Sequence, residues 1–106
     1  MYRLALAVAL SALAAPAFAG DAEVTILIKN HAFVPADVEI PAQTKVKVTV
    51  RNQDTTTSEF ESVDFHREKV VEAGSQITVF VGPLDPGRYE FFDDFHPETR
   101  GHLIVK

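Results

Sequence analysis

Gly87-Arg-Tyr-Glu-Phe-Phe-Asp-Asp-Phe-His-Pro-Glu-Thr-Arg-Gly-His-Leu-Ile-Val-Lys106 closes the chain and decides how the rest is read. An aromatic-rich strand is expected over Arg88–Phe92 and a second strand over His102–Lys106, with a short polar loop between them. That loop gathers Asp93, Asp94, His96 and Glu98. So many oxygen and nitrogen donors on one segment anchored by two strands point to a cation site.

Working outward, the dominant period is two. Val24, Ile26 and Ile28 alternate with Thr25, Leu27 and Lys29; Val46, Val48 and Val50 alternate with lysine, threonine and arginine; Ile77, Val79 and Val81 repeat the pattern. Alternation of this kind marks half-buried strands. Turn-forming residues punctuate it at Pro41–Thr44, Glu72–Ser75 and Leu84–Gly87, where Pro86-Gly87 reads as the centre of a type II turn. Short, regularly spaced strands without a helical stripe predict an all-β sandwich or barrel.

Residues 1–19 read as a secretory signal peptide: Arg3, an apolar run over Leu4–Leu13, and Ala17-Phe18-Ala19 before the cut. The apolar run is well short of the roughly 20 residues a spanning helix needs. Residues 20–106 then form one domain. The 106-residue chain has a net charge of -5 and no cysteine. Removing Arg3 leaves nine basic and fifteen acidic residues, a net of -6. This balance argues against nucleic acid or an anionic membrane as partner and suits cations. Without cysteine there is no disulfide and no thiolate ligand, hence no type-1 copper site. No nucleophile–base pair, serine elbow or phosphate loop suggests hydrolysis.

The spacing Tyr89-x-Phe91-x-Asp93-x-x-His96-x-x-Thr99-x-Gly101 resembles the closing loop of cupredoxins, aromatic-x-aromatic-x-Cys-x-x-His-x-x-Met-x-Gly. Phe33-x-Pro35, Val38-x-Ile40-Pro-Ala and Val46-x-Val48-x-Val50-x-Asn52-x-Asp54 extend the likeness through the first half. Gly82-Pro-Leu-x-Pro-Gly87-x-Tyr89 extends it through the second. Asp93 stands at the cysteine position and Thr99 at the methionine position; His96 alone keeps its type. Ser58-Glu-Phe-Glu-Ser62, Arg67-Glu-Lys-Val-Val71 and Phe92-x-Asp-Phe-His96 resemble, more closely, cupredoxin-like proteins of bacterial periplasmic iron uptake, both stand-alone and EfeO-type.

The cupredoxin likeness implies an all-β Greek-key sandwich, and the closer one a periplasmic protein that binds iron, as Fe(II) or Fe(III), and assists its oxidation or its delivery to an iron permease or a periplasmic iron-binding partner. Its first histidine ligand falls at Ser58 by counting from Asn52, or at Glu59 with a shift of one. Glu59, Asp93 and His96 are the foremost ligand candidates, followed by Glu61, Asp94 and Glu98. For Asp93 the other reading is a residue that makes loop hydrogen bonds where a site was lost. Glu59 and Glu61 share one strand face, with Phe60 turned into the core. His31, His66 and His102 are read as structural or exposed. The alternatives are a copper(II) N/O site, with or without ferroxidase-like activity, and a metal-free docking module. Export is checked by N-terminal sequencing of periplasmic protein: the expected start is Gly20, give or take a residue or two, and a cytoplasmic protein beginning at Met1 contradicts it.

Overall fold

The computed structural model describes residues 22–106. The signal peptide expected over residues 1–19 lies outside the described residues. Nine strands form two sheets. They are β1 (Ala22–Lys29), β2 (Ala32–Val34), β3 (Asp37–Ile40), β4 (Val46–Asn52), β5 (Ser58–Ser62), β6 (Arg67–Val71), β7 (Gln76–Val81), β8 (Gly87–Asp93) and β9 (His96–Val105). One sheet runs β2-β1-β4-β7 and the other β3-β9-β8-β5-β6. The expected Greek-key sandwich is present.

The alternating residues account for the core. Ile26, Ile28, Val46, Val48, Val50 and Leu103 are completely buried. β4 is central in its sheet, parallel to β1 and antiparallel to β7, so its three valines sit between Val24, Ile26, Val79 and their neighbours. Burying a valine or isoleucine side chain stabilises by about 1.5–3 kcal/mol. One-residue slippage would turn that whole set to solvent, so the pattern also fixes register.

Three phenylalanines bridge the sheets near one end. Phe33 of β2 meets Phe91 of β8 edge-on at 4.8 Å, and Phe60 of β5 lies 5.2 Å from Phe91. Such contacts contribute beyond their buried area. Gly101 on β9, paired with Phe91, makes room for this cluster. A Cβ there would come within 2.5 Å of both the Phe91 ring and the Ala36 carbonyl oxygen.

Side chains also guard an open edge. Arg67 Nε donates to the Phe80 carbonyl at 2.8 Å and Lys69 Nζ reaches the Thr78 carbonyl at 3.5 Å. Charged groups laid along β7 in this way discourage edge-to-edge pairing.

Two expectations are corrected. Gly87 is not in the left-handed region, so Pro86-Gly87 is not the centre of a type II turn. Gly87 instead opens β8 opposite Val105, and Tyr89 Oη donates back to the Asp85 carbonyl at 2.9 Å. The last strand starts at His96 rather than His102. The expected polar loop therefore shrinks to Asp94-Phe95, with Asp93 paired to His96 across the hairpin.

Replacing Gly101 by alanine is expected to lower the unfolding free energy by about 1–3 kcal/mol, because neither the backbone carbonyl nor the buried ring can give way. Urea denaturation measures it, and an unchanged midpoint would show that the aromatic cluster is loosely packed.

Candidate metal centre

The hairpin turn is built on the Asp93 carboxylate. Asp93 is fully buried. Its Oδ1 accepts from the backbone N–H of Glu59 and of Phe95, each at 3.0 Å. The Phe95 bond, two residues on, is the local turn that aspartate favours. Its Oδ2 lies 2.8 Å from His96 Nδ1. Burial on its own would raise the Asp93 pKa. The Ser58 hydroxyl, the Glu59 N–H, the His96 ring and the Phe95 N–H outweigh burial and hold it below the usual aspartate value. The group is thus an anion at neutral pH, and His96 Nδ1 must carry the proton it shares with Oδ2.

By the spacing of the resemblance, the cupredoxin ligand positions fall at Ser58 or Glu59, Asp93, His96 and Thr99. They do not fit a thiolate copper centre. Both Asp93 oxygens are engaged as described. Thr99 Oγ1 donates to the His31 carbonyl at 2.5 Å. Ser58 Oγ is buried beside Asp93 without a hydrogen bond of good geometry. The frame has become a hydrogen-bonded plug.

The neighbouring loop is tied to the same pole. Asn52, buried, donates through Nδ2 to the carbonyls of Thr56 and Val71, and its Oδ1 accepts from Asp54 N–H. Asp54 in turn accepts the N–H groups of Asn30 and His31 at 2.7 and 2.9 Å. Those two residues have φ of 52° and 57° and make the two-residue β1–β2 turn. Left-handed conformation at both centres is what a tight hairpin of this type requires.

The outer face of the five-stranded sheet holds a second assembly. As expected, Phe60 points inward and is wholly buried, whereas Glu59 and Glu61 lie on the opposite face. Asp94 N–H donates to the Glu59 carbonyl at 3.0 Å, which brings Asp94 alongside them. One carboxylate oxygen from each of Glu59, Glu61 and Asp94 falls within 4.8 Å of the others. Glu68 stands opposite Glu61 on β6. None of the three is in an ion pair among the described residues. The pKa of Glu59 is raised by burial and then by Glu68, Asp94 and Glu61; that of Glu61 is raised by burial, Asp94 and Glu68. Like charges held together favour the neutral acid or a shared cation.

The candidate ligands therefore divide between two places. Glu59, Glu61 and Asp94 converge on the outer face. Asp93 and His96 bind one another at the pole, so Asp93 sits as an anchor with no free oxygen rather than as an open ligand. Glu98 does neither. The pairing shifts between Phe92–Arg100 and Asp93–His96, so Pro97, Glu98 and Thr99 bulge out, and Glu98 is exposed. A bulge re-aims side chains in this way. Glu68 was missed as a candidate; the period-two reading of β6 and its hairpin register with β5 were the available signal. His66 is exposed in the β5–β6 turn. His102 is half-buried, 3.5 Å from Asp37 and 3.7 Å from Glu90. His31, read as structural or exposed, is exposed and packs its ring 4.6 Å from that of His96.

Because the folded-state pKa of Asp93 is depressed, its contribution to stability is full above the ordinary value of 3.8 and is lost as pH falls through the lower folded value. Asp93→Ala is expected to cost about 3 kcal/mol at pH 7, since it strands two buried N–H groups. Asp93→Asn costs less, and its deficit should vanish in the acid range below 3.8. Denaturation at several pH values checks both.

Comparison with known proteins agrees with the fold. Residues 2–105 match the family model of the cupredoxin-like domain. An uncharacterised protein of Rickettsia prowazekii (strain Madrid E) is 50% identical over 84 residues, which span 78% of this chain and 67% of that protein. Amicyanin of Paracoccus versutus superposes with a TM-score of 0.64 at 20% identity, over 82% of this chain and 83% of amicyanin. A purple cupredoxin of Nitrosopumilus maritimus gives 0.61 at 24% identity, over 81% and 100%. The metal-binding domain of the Cu(I)-exporting ATPase CopA of Streptococcus pneumoniae D39, solved with Cu(I), gives 0.69 at 14%, over 79% and 84%. With its family model matched almost end to end, its two-sheet topology and its closing hairpin, this chain belongs to the cupredoxin-like domain family.

Proposed function

We propose that this protein binds a hard or borderline divalent cation, Fe(II) foremost, through Glu59, Glu61 and Asp94 on the outer face of the five-stranded sheet. The observation that carries this reading is the convergence of three carboxylates, none of them in an ion pair among the described residues. Carboxylate oxygens suit iron(II) or manganese(II) far better than they suit a soft copper(I) ion. Asp93 serves the site from behind: it ties the start of β5 to the end of β8, which sets Glu59 and Asp94 side by side. The sequence resemblance to iron-uptake proteins supports a periplasmic setting and delivery of the ion to an iron permease or its periplasmic partner. Nothing in these residues accepts an electron, so the part proposed for this chain is to hold the ion and hand it on, with no change of its oxidation state.

The electrostatics give the test a sign. For Glu59 and Glu61 the folded pKa is raised, so the fold is penalised when both are ionised and relieved as pH falls through the raised values. A bound cation gives the same relief at neutral pH, and anything that binds only the folded state raises the melting temperature. Mn(II), or Fe(II) without oxygen, is expected to raise Tm of the wild type at pH 7. The double substitution Glu59→Gln and Glu61→Gln should raise Tm of the metal-free protein and abolish the metal response, whereas His102→Ala should respond like the parent. No stabilisation in the wild type, or an undiminished response in the double variant, would leave the metal-free docking module as the better reading.

A further inference from the structure

We propose that His31 and His96 form a separate, imidazole-based cation site at the pole, selective for borderline ions such as Zn(II). The two rings lie 4.6 Å apart, centroid to centroid, tilted by 41°. The His96 ring is held by a hydrogen bond, and the His31 ring lies beside it. His96 Nδ1 is bound to Asp93 Oδ2 at 2.8 Å, and Asp54 Oδ2 lies 3.8 Å from His31 Nδ1. A carboxylate that takes the Nδ1 side of a histidine fixes the tautomer and leaves Nε2 as the metal-binding lone pair, which is how protein metal sites orient their imidazoles. His96 has such a carboxylate; Asp54 stands close to His31 Nδ1 but outside hydrogen-bond distance, and both carboxylates are held by backbone N–H groups.

The backbones are held as firmly. His31 sits in a left-handed turn, its N–H is bound by Asp54 and its carbonyl accepts from Thr99. Thr99 and His96 belong to the same strand, so one segment fixes both rings. The side chains remain open to an incoming ion: His31 is 50% exposed and His96 23%. Two neutral imidazoles provide two donors and leave the other positions to water or to a donor on an incoming molecule. By softness and by the general order of divalent affinities, such a pair takes Zn(II) or Cu(II) ahead of Fe(II) or Mn(II). The pole and the outer face would then sort cations by chemistry, and the two sites stand or fall independently.

Calorimetric titration of the untagged full chain with Zn(II) tests this. His31→Asn keeps the left-handed turn, because asparagine tolerates positive φ. It and His96→Gln should each weaken Zn(II) binding tenfold or more, while the Glu59→Gln, Glu61→Gln double variant binds Zn(II) like the parent at this site. In the wild type, Zn(II) should shift the side-chain nitrogen resonances of His31 and His96 and leave those of His66 and His102 in place. Parental Zn(II) affinity in His31→Asn, unshifted His31 and His96 resonances, or loss of Zn(II) binding in the glutamate variant would overturn the proposal.

Discussion

The buried carboxylate of Asp93 is the interaction on which this structure depends. One side chain accepts from the N–H of Glu59, from the N–H of Phe95 and from the ring of His96. The first bond joins β5 to β8, the second folds the hairpin after β8, and the third aims an imidazole. An anion buried without partners would be costly, and a buried anion satisfied on every side rigidifies what surrounds it. At the position where cupredoxins carry a thiolate that binds copper, this chain carries a group whose bonding capacity is spent inside the protein.

The two faces of the same strands then separate structure from chemistry. Phe60 and Asp93 face inward and are completely buried, next to the Phe33–Phe91 contact. Glu59 and Glu61 face outward by strand alternation, Asp94 is brought beside them from the turn by its N–H bond to the Glu59 carbonyl, and Glu68 of β6 stands opposite Glu61. Packing supplies the stability that holds three like charges together, and that repulsion is what a cation would relieve. The site proposed here is therefore a product of the fold's rigidity, with the conformational cost of gathering the ligands met during folding rather than during binding.

Much of this was readable before any coordinates. The valine and isoleucine alternation marked β1, β4 and β7, and it did so because each strand has one face in a single core. The same period placed Phe60 inward and its flanking glutamates together. What could not be read were features that depend on long-range geometry. Glu98 looked equivalent to Asp94 because both flank the hairpin, but a three-residue bulge turns it away. The partners of His31, namely Asp54, His96 and Thr99, are distant in sequence and meet it only once the two sheets close. Pro86-Gly87 had the composition of a type II turn, yet Gly87 was recruited into β8 by pairing with Val105. Asp93 carried both of its possible roles, ligand or turn builder, until its partners could be seen.

A cation held by Glu59, Glu61 and Asp94 on the outer face, rather than at the inner positions of the closing hairpin, would have a direct spectroscopic signature. Paramagnetic broadening by Mn(II), added well below one equivalent to isotope-labelled protein, reads this directly. The amide signals of Glu59, Phe60, Glu61, Glu68 and Asp94 are expected to broaden first, while those of His31 and Thr99 persist. Broadening centred on His31, His96 and Thr99, or no selective broadening at all, would contradict it.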